Sequence, residues 1–369
     1  MKLSRGQFSS IVKYLGSFAS GNDVVQFRPL GSSIIASIDG ANGHAEIISN
    51  PVTELQSRFA VGIAVLRSID SVAGDDDIAY VEGSNAKLSC GDATWWIPYN
   101  DINLVSNRPD VDPHAWIEVG NDFSSWLSVL RDFSQDKDER GSLDCLLLDV
   151  RATQNGKSGQ RLGRQTLVAS NRVSMAVYDR RNVDCEVTTR LLIEKRLTPL
   201  ISSTCESGMP STIRVGLNHY SVQCGRRIAT FPVRRGVFPK SWIDVYQQHS
   251  RSLPEDKTAT MSARSLGSSV RKACADSGTV KLSGEGYTFV VDSSDSKSDS
   301  KVECGLAATG EIPFSMFGPV CISEKQVRAV CRSWPSENLT IMNDDSDKPV
   351  IFKTGEHSGL LIMVQPIVE

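Results

Sequence analysis

A unit of apolar helix, acidic or polar turn, and strands joined by a tight turn recurs three times along the chain, near one period. Such self-similarity constrains a fold more than any single motif, because each copy must form the same supersecondary unit. In the first copy an apolar helical segment, 61–70, leads through Gly74-Asp-Asp-Asp77 into Ile78-Ala-Tyr-Val81. It closes with Ala86-Lys-Leu-Ser-Cys-Gly91 and Ala93-Thr-Trp-Trp-Ile-Pro98. The second runs from Leu200-Ile-Ser-Ser-Thr204 through Ser207-Gly-Met-Pro210 and Ile213-Arg-Val-Gly-Leu217 to Tyr220-Ser-Val-Gln-Cys-Gly225 and Ile228-Ala-Thr-Phe-Pro232. The third begins with the helical segment 323–334 and continues through Leu339-Thr-Ile-Met342 to Val350-Ile-Phe-Lys-Thr-Gly355 and Leu360-Leu-Ile-Met-Val364. Leu88-Ser-Cys-Gly91 and Val222-Gln-Cys-Gly225 lie 134 residues apart, and Gly355 lies 130 beyond Gly225.

Each unit also opens with an amphipathic helix. Phe8, Ile11, Val12, Leu15 and Phe18 share one helical face, as do Phe123, Trp126, Leu127, Leu130 and Phe133 after the N-cap pair Asn121-Asp122. Leu266, Val270, Ala273 and Cys274 form a thinner stripe within 261–275. Strands follow with alternating pattern, as in Val173, Met175 and Val177, or Thr288 and Val290. The expectation is an α+β protein of three repeated domains, each with two helices packed on β-sheets. Turn chemistry at 106–113 and 247–257 divides it into 1–108, 109–250 and 251–369. The polar segments 292–301 and 154–164 read as exposed loops.

Several function classes drop out. The longest apolar run, 59–66, is too short for a membrane helix, and the start Met1-Lys-Leu-Ser-Arg5 leads into no apolar signal region. Nine cysteines without a Cys-x-x-Cys pair read as reduced, mostly buried thiols of a cytoplasmic protein, with no metal site. Asn155-Gly-Lys-Ser158 ends like a phosphate-binding loop, but position 151 is Arg where that loop needs Gly. The histidines 44, 114, 219, 249 and 357 are scattered, and His44 beside Glu46 reads as a solvated turn. No catalytic residue, cofactor or enzyme activity is expected.

Charge is more informative than its sum. Lys and Arg number 40 against 43 Asp and Glu, a net charge of −3. Yet Lys325, Arg328 and Arg332 line the helix side opposite Val327, Val330, Cys331 and Trp334, and Arg264 and Arg271 line another beside Lys272. Arg5 and Lys13, Arg67, and Arg131 take the outer sides of three further helices, and Lys195 and Arg196 lead into a fourth. Acidic residues are sparse on these faces and gather in loops at 75–77, 136–139, 292–299 and 344–347. A net acidic chain with such segregation can present a basic concave surface to phosphates.

With these features the chain resembles the bacterial DNA sliding clamp, the beta subunit of the replicative DNA polymerase, over essentially its whole length. Thr166-Leu-Val-Ala-Ser-Asn-Arg-Val-Ser-Met-Ala-Val177 is similar to the family's T-V-A-T-D-G-H-R-L-A. Gly236-Val-Phe-Pro239 is similar to its G-R-F-P, and Leu360-Leu-Ile-Met-Val-Gln-Pro-Ile-Val-Glu369 to its terminal V-V-M-P-M-R-L. The resemblance implies three clamp domains per subunit and a ring-shaped, head-to-tail homodimer. The helices would line a hole around double-stranded DNA, and Lys13, Arg67, Arg131, Lys195, Arg196, Arg264, Arg271, Lys272, Lys325, Arg328 and Arg332 would touch its phosphates without reading sequence. It also implies a hydrophobic pocket for peptides of the DNA polymerase, clamp loader and other partners, at Ser170, Val173, Met175, Met363, Val364, Pro366 and Ile367. Methionine suits a pocket that adapts to several partners.

Two departures stand out. The family's D-G-H-R turn is here Asn171-Arg-Val-Ser174, and its M-P-M-R-L end is here Gln365-Pro-Ile-Val-Glu369. They imply recognition of a different peptide, as a phage-encoded or otherwise divergent replisome would need. The competing readings are a β-rich structural or scaffold protein of repeated domains without DNA binding, and a nucleotide-dependent enzyme.

Overall fold

The computed structural model describes all residues except 83–85, 98–107, 139–141, 153–161, 186, 207–208, 251–256, 274–277, 287, 294–305, 308–313, 335–337, 355–358 and 368–369. The described residues form six successive modules, each a strand, a helix and three strands. The first comprises β1 (Lys2–Leu3), α1 (Arg5–Phe18), β2 (Val24–Leu30), β3 (Ser33–Gly40) and β4 (Gly43–Ser49). The second comprises β5 (Phe59–Gly62), α2 (Ile63–Val72), β6 (Ile78–Val81), β7 (Lys87–Cys90) and β8 (Ala93–Trp96). The third is β9 (Ala115–Val119), α3 (Phe123–Arg131), β10 (Cys145–Ala152), β11 (Leu162–Ser170) and β12 (Ser174–Asp184). In the fourth, β13 (Thr189–Glu194) passes through a 3-10 turn, Lys195–Leu197, into α4 (Thr198–Thr204), β14 (Ser211–Val215), β15 (His219–Cys224) and β16 (Arg227–Pro232). A separate helix, α5 (Trp242–His249), precedes the fifth: β17 (Thr258–Ser262), α6 (Ala263–Ala273), β18 (Thr279–Gly286), β19 (Thr288–Ser293) and β20 (Leu306–Ala307). The sixth is β21 (Phe314–Ser323), α7 (Glu324–Ser333), β22 (Asn338–Met342), β23 (Val350–Lys353) and β24 (Leu360–Val364). The period visible in the sequence is therefore two modules long.

Among the described residues all strand pairs are antiparallel, and the modules exchange their first strands. β1 pairs with β6 of the second module while β5 pairs with β2 of the first. β9 and β14, β13 and β10, β17 and β22, and β21 and β18 repeat the exchange. Fourth strands then join sheets end to end: β4 to β16, and β12 to β24.

Two compact units result. One, residues 1–124 and 199–233, holds the eight-stranded sheet β5-β2-β3-β4-β16-β15-β14-β9 and the four-stranded sheet β1-β6-β7-β8. Its α1 starts with a capping box, in which the Ser4 hydroxyl accepts from Gln7 N at 3.3 Å and Gln7 Oε1 accepts from Ser4 N at 3.0 Å. The stripe Phe8, Ile11, Val12, Leu15 and Phe18 is buried, and Phe27, Phe59 and Tyr80 stack at centroid distances of 4.6 and 3.8 Å. Arg5 departs from its expected outward place: it pairs with Asp70 and donates to the carbonyls of Asp70 at 2.6 Å and Ala73 at 3.0 Å, closing the end of α2. The tight turns after β7 and β15 place Gly91 and Gly225 at φ +54°, the left-handed region a two-residue hairpin demands.

The second unit, residues 125–198 and 234–369, holds the sheet β13-β10-β11-β12-β24-β23-β22-β17 and the sheet β20-β19-β18-β21. Trp126 of α3 stacks on Tyr178 of β12 at 4.0 Å, with Leu127, Leu130 and Phe133 fully buried. Helices α6 and α7 bury Leu266, Val270, Val327 and Val330. They approach so closely that a Cβ on Gly267 would sit 2.9 Å from that of Cys331.

Some boundaries differ from expectation. The helix expected at 61–70 begins at Ile63, and Met261 belongs to β17, because strands run straight into helices with no intervening loop. Residues 242–249, entering the supposed linker, form α5, whose Trp242 and Tyr246 are one turn apart and buried. Gly355, most of the loops 154–164 and 292–301, and the motif at 155–158 lie outside the described residues. Seven cysteines among the described residues are free thiols, five of them buried. No helix among the described residues is long and apolar enough to cross a membrane.

Candidate nucleic-acid interface and peptide surface

Helices α6 and α7 pack side by side and turn their polar sides the same way. Arg264 and Arg271 of α6 and Arg328 and Arg332 of α7 converge on one cavity of about 710 Å³, floored by Gly267, Cys331 and Trp334. The absent side chain of Gly267 lets the two helices close to form that floor. All four arginines are exposed. Arg328 is steadied by Glu324 one turn before it, and Arg271 Nε donates to the Gly267 carbonyl at 3.2 Å. Arg332 reaches Asp132, just past the end of α3, at 2.7 Å. The Cys331 thiol is pushed up to about 12 by burial, with Arg271 opposing, so it stays protonated at neutral pH.

The remaining basic residues divide by what they touch. In the second unit, Lys272 and Lys325 are exposed, and Arg131 lies 3.7 Å from Asp132. Lys195 donates at 2.8 Å to both the Ser134 carbonyl and Asp136, and Arg196 pairs with Glu194 at 2.7 Å. The hydrogen bond and charge of Lys195, with the field of Lys325, hold the Asp136 carboxyl below its usual range. In the first unit, Lys13 is exposed on α1, and Arg67 lies across to the Gly16 carbonyl at 2.6 Å. The structure thus brings together Arg264, Arg271, Arg328 and Arg332, and engages Lys195 and Arg196 in local ion pairs. Acids are less sparse around this surface than the sequence suggests: Asp132, Asp136 and Glu194 all enter it.

The residues expected to line a peptide pocket split into two groups. The Asn171 side chain accepts from Val173 N at 3.2 Å and from Ser174 N at 2.8 Å, closing a turn with Arg172 at φ +75°. Ser170 Oγ donates to the Ser174 carbonyl at 3.1 Å. The turn leaves Val173 47% exposed. Past β24, Gln365 N donates to the Val173 carbonyl at 2.8 Å and Ile367 N to the Cys321 carbonyl at 2.7 Å. Pro366 is half-buried and Ile367 exposed beside this ladder. Met175, Met363 and Val364 are buried instead, because adjacent strand residues face opposite sides and both sides are covered. Met175 and Met363 join Leu143, Trp242, Tyr246 and Met342 in one apolar cluster beneath α5. Sequence reasoning missed Trp242 and Tyr246, although Trp242-Ile-Asp-Val-Tyr246 carries apolar residues at i and i+4. Among the described residues no group of three or more His, Cys, Asp or Glu is placed to hold a metal ion.

No protein-family model matches the chain, and neither does any curated protein sequence. Solved structures match it from end to end. A DNA polymerase III subunit beta sliding clamp from Pseudomonas aeruginosa, bound to griselimycin, superimposes with a TM-score of 0.81 at 12% identity, covering 100% of this chain and 99% of that one. The beta subunit from Thermotoga maritima gives 0.77 at 14%, covering 100% and 99%. The Helicobacter pylori beta clamp bound to a DNA ligase peptide gives 0.78 at 12%, also covering 100% and 99%. The chain has the α+β fold of the bacterial DNA polymerase III beta subunit.

Proposed function

We propose that this chain, having the beta-subunit fold, is a DNA sliding clamp: a processivity factor that encircles duplex DNA and tethers a replicative polymerase, catalysing no reaction itself. Its three domains are the module pairs, 1–108, 109–250 and 251–369. Two copies close head to tail into a ring in the cytoplasm of a bacterial or phage-infected cell. The observation that carries this reading is the pattern of sheet ends. The fourth strand of module one joins that of module four, and the fourth strand of module three joins that of module six. The same step of three leaves the fourth strand of module five, β20, to meet that of module two, β8, in another copy. Among the described residues both strands end their sheets, and β8 carries Trp96 at 65% exposure. An unpaired strand end with an exposed aromatic residue is what a partner's strand would cover.

Within such a ring, Arg264, Arg271, Arg328 and Arg332 meet backbone phosphates, with Lys13, Arg67, Arg131, Lys195, Arg196, Lys272 and Lys325 adding weaker field. Phosphate contacts carry no sequence information, so the ring slides. Retention on DNA then comes from topology. Val173, Pro366 and Ile367 supply the exposed apolar edge of a surface for partner peptides from the polymerase and clamp loader, as a ligase peptide occupies the Helicobacter pylori clamp. Sedimentation should give twice the chain mass, and Trp96→Glu should shift it toward one. Protein assembled on a nicked circular plasmid should stay with it through gel filtration and be lost on linearisation. A strict monomer, or equal retention on circular and linear DNA, overturns the reading.

A further inference from the structure

The sheet face under α5 carries a second basic surface, unrelated to the helix groove. Asp149 of β10 and Asp179 of β12 are both buried there, and each holds two arginines. Asp149 accepts from Arg151 at 2.8 and 3.1 Å and from Arg190 Nε at 3.2 Å. Asp179 accepts from Arg164 Nε, from Arg181 Nε at 2.9 Å, from Thr166 Oγ1 at 3.2 Å and from the Tyr246 hydroxyl at 3.3 Å. Four guanidinium groups thus sit on two carboxylates, with a third to two-thirds of each arginine side chain exposed. Arg151, Arg164 and Arg181 are direct cross-strand partners on three neighbouring strands. Like charges in that relation repel, and here the excess positive charge is left facing outward.

Beside this row lies a cavity of about 430 Å³, lined among the described residues by Arg164, Arg181, Asn182, Tyr246, Gln247 and Ser250, none of them a carboxylate. Its rim is hydrogen-bonding amides and hydroxyls, and a smaller recess next to it adds Trp242 and Ile243. Trp126 of α3 packs on Tyr178, whose side chain points opposite to that of Asp179, so this surface faces away from α3. We propose that it is a docking site for an acidic peptide segment of a partner protein, whose carboxylates are gripped by the pre-oriented guanidinium forks. Planar forks fixed through Nε match carboxylates bidentately. The amide-lined cavity suits a peptide backbone, and the site lies off the helix surface assigned to DNA.

The probe is a fluorescent octaglutamate peptide, followed by anisotropy with the full-length protein at low salt. Saturable binding is expected, weakened at least tenfold in Arg181→Ala/Arg190→Ala. That variant leaves Arg164 on Asp179 and Arg151 on Asp149, so the fold should survive, which circular dichroism checks. Arg181→Lys/Arg190→Lys keeps the charge but removes the forks, and should lose affinity severalfold. Arg264→Ala/Arg271→Ala should bind the peptide normally, separating this result from the clamp reading. Unchanged peptide binding in both double variants overturns the proposal. So does a labelled single-stranded oligonucleotide that loses binding in them while the peptide does not.

Discussion

Arg332, in the last turn of α7, donates to the carboxylate of Asp132 at 2.7 Å, 200 residues earlier in the chain. The pair ties the end of α3 to the basic groove and withdraws part of the charge that the groove offers to phosphate. Asp132→Asn should therefore tighten non-specific duplex binding and steepen the slope of log K against log salt by about 0.9, one phosphate contact's worth. Because Arg332 is largely exposed, stability should fall by no more than roughly 1 kcal/mol. A salt titration and a urea curve on the same variant check both.

Reversing the charge of Arg264, Arg271, Arg328 and Arg332 together should abolish most DNA affinity and reduce the salt slope by about three to four. Far-ultraviolet circular dichroism should be unchanged, since all four side chains are exposed. Undiminished affinity would remove the groove from the DNA interface.

Trp242→Ala removes the largest side chain that α5 sets against Met175 and Met363. Truncating a buried aromatic costs about 3–5 kcal/mol. Urea denaturation should show that loss. Peptide capture at Val173 and Ile367 should weaken with it, since β12 and β24 frame both.

Burial pushes the Asp179 carboxyl up, but hydrogen bonds from Arg164 and Arg181 outweigh it and hold the group below its usual range. A depressed folded-state pKa adds stability above the unfolded value, about 3.9, and that stability disappears as pH falls through the folded value. The urea midpoint of the native chain should drop steeply below about pH 4, with a shallower drop in Asp179→Asn. Equal slopes would show that the carboxylate contributes nothing.

Gly267→Ala should force α6 from α7, because its new methyl group would sit 2.9 Å from Cys331 Cβ. Overpacking of this kind costs about 1–3 kcal/mol. It should also expose Cys331, whose thiol burial now holds at about 12, to iodoacetamide at pH 8. Mass spectrometry of the alkylated residue reads this directly.

The repeat was legible because its turns need glycine: Gly91 and Gly225 stand at the same left-handed conformation in equivalent hairpins. The amphipathic stripes of α1 and α3 were legible because burial follows helical spacing. The half-length module was not, since strands such as β5 and β17 pass into α2 and α6 with no turn residue between. The basic side chains of α6 and α7 could be assigned to one face from spacing alone. Asp132 could not be placed beside them, because nothing local in 121–135 tells which distant helix its carboxylate will meet. Asp149 and Asp179 were equally hidden: each looks like an ordinary polar residue of a strand until α5 lies over that face.

The exchange of first strands has an evolutionary consequence. A lone module would lack one strand of its sheet and leave another without a partner. The module pair is therefore the smallest piece of this architecture in which both first strands find their partners. Two modules duplicated together, with their two helices and eight strands, keep every first strand partnered.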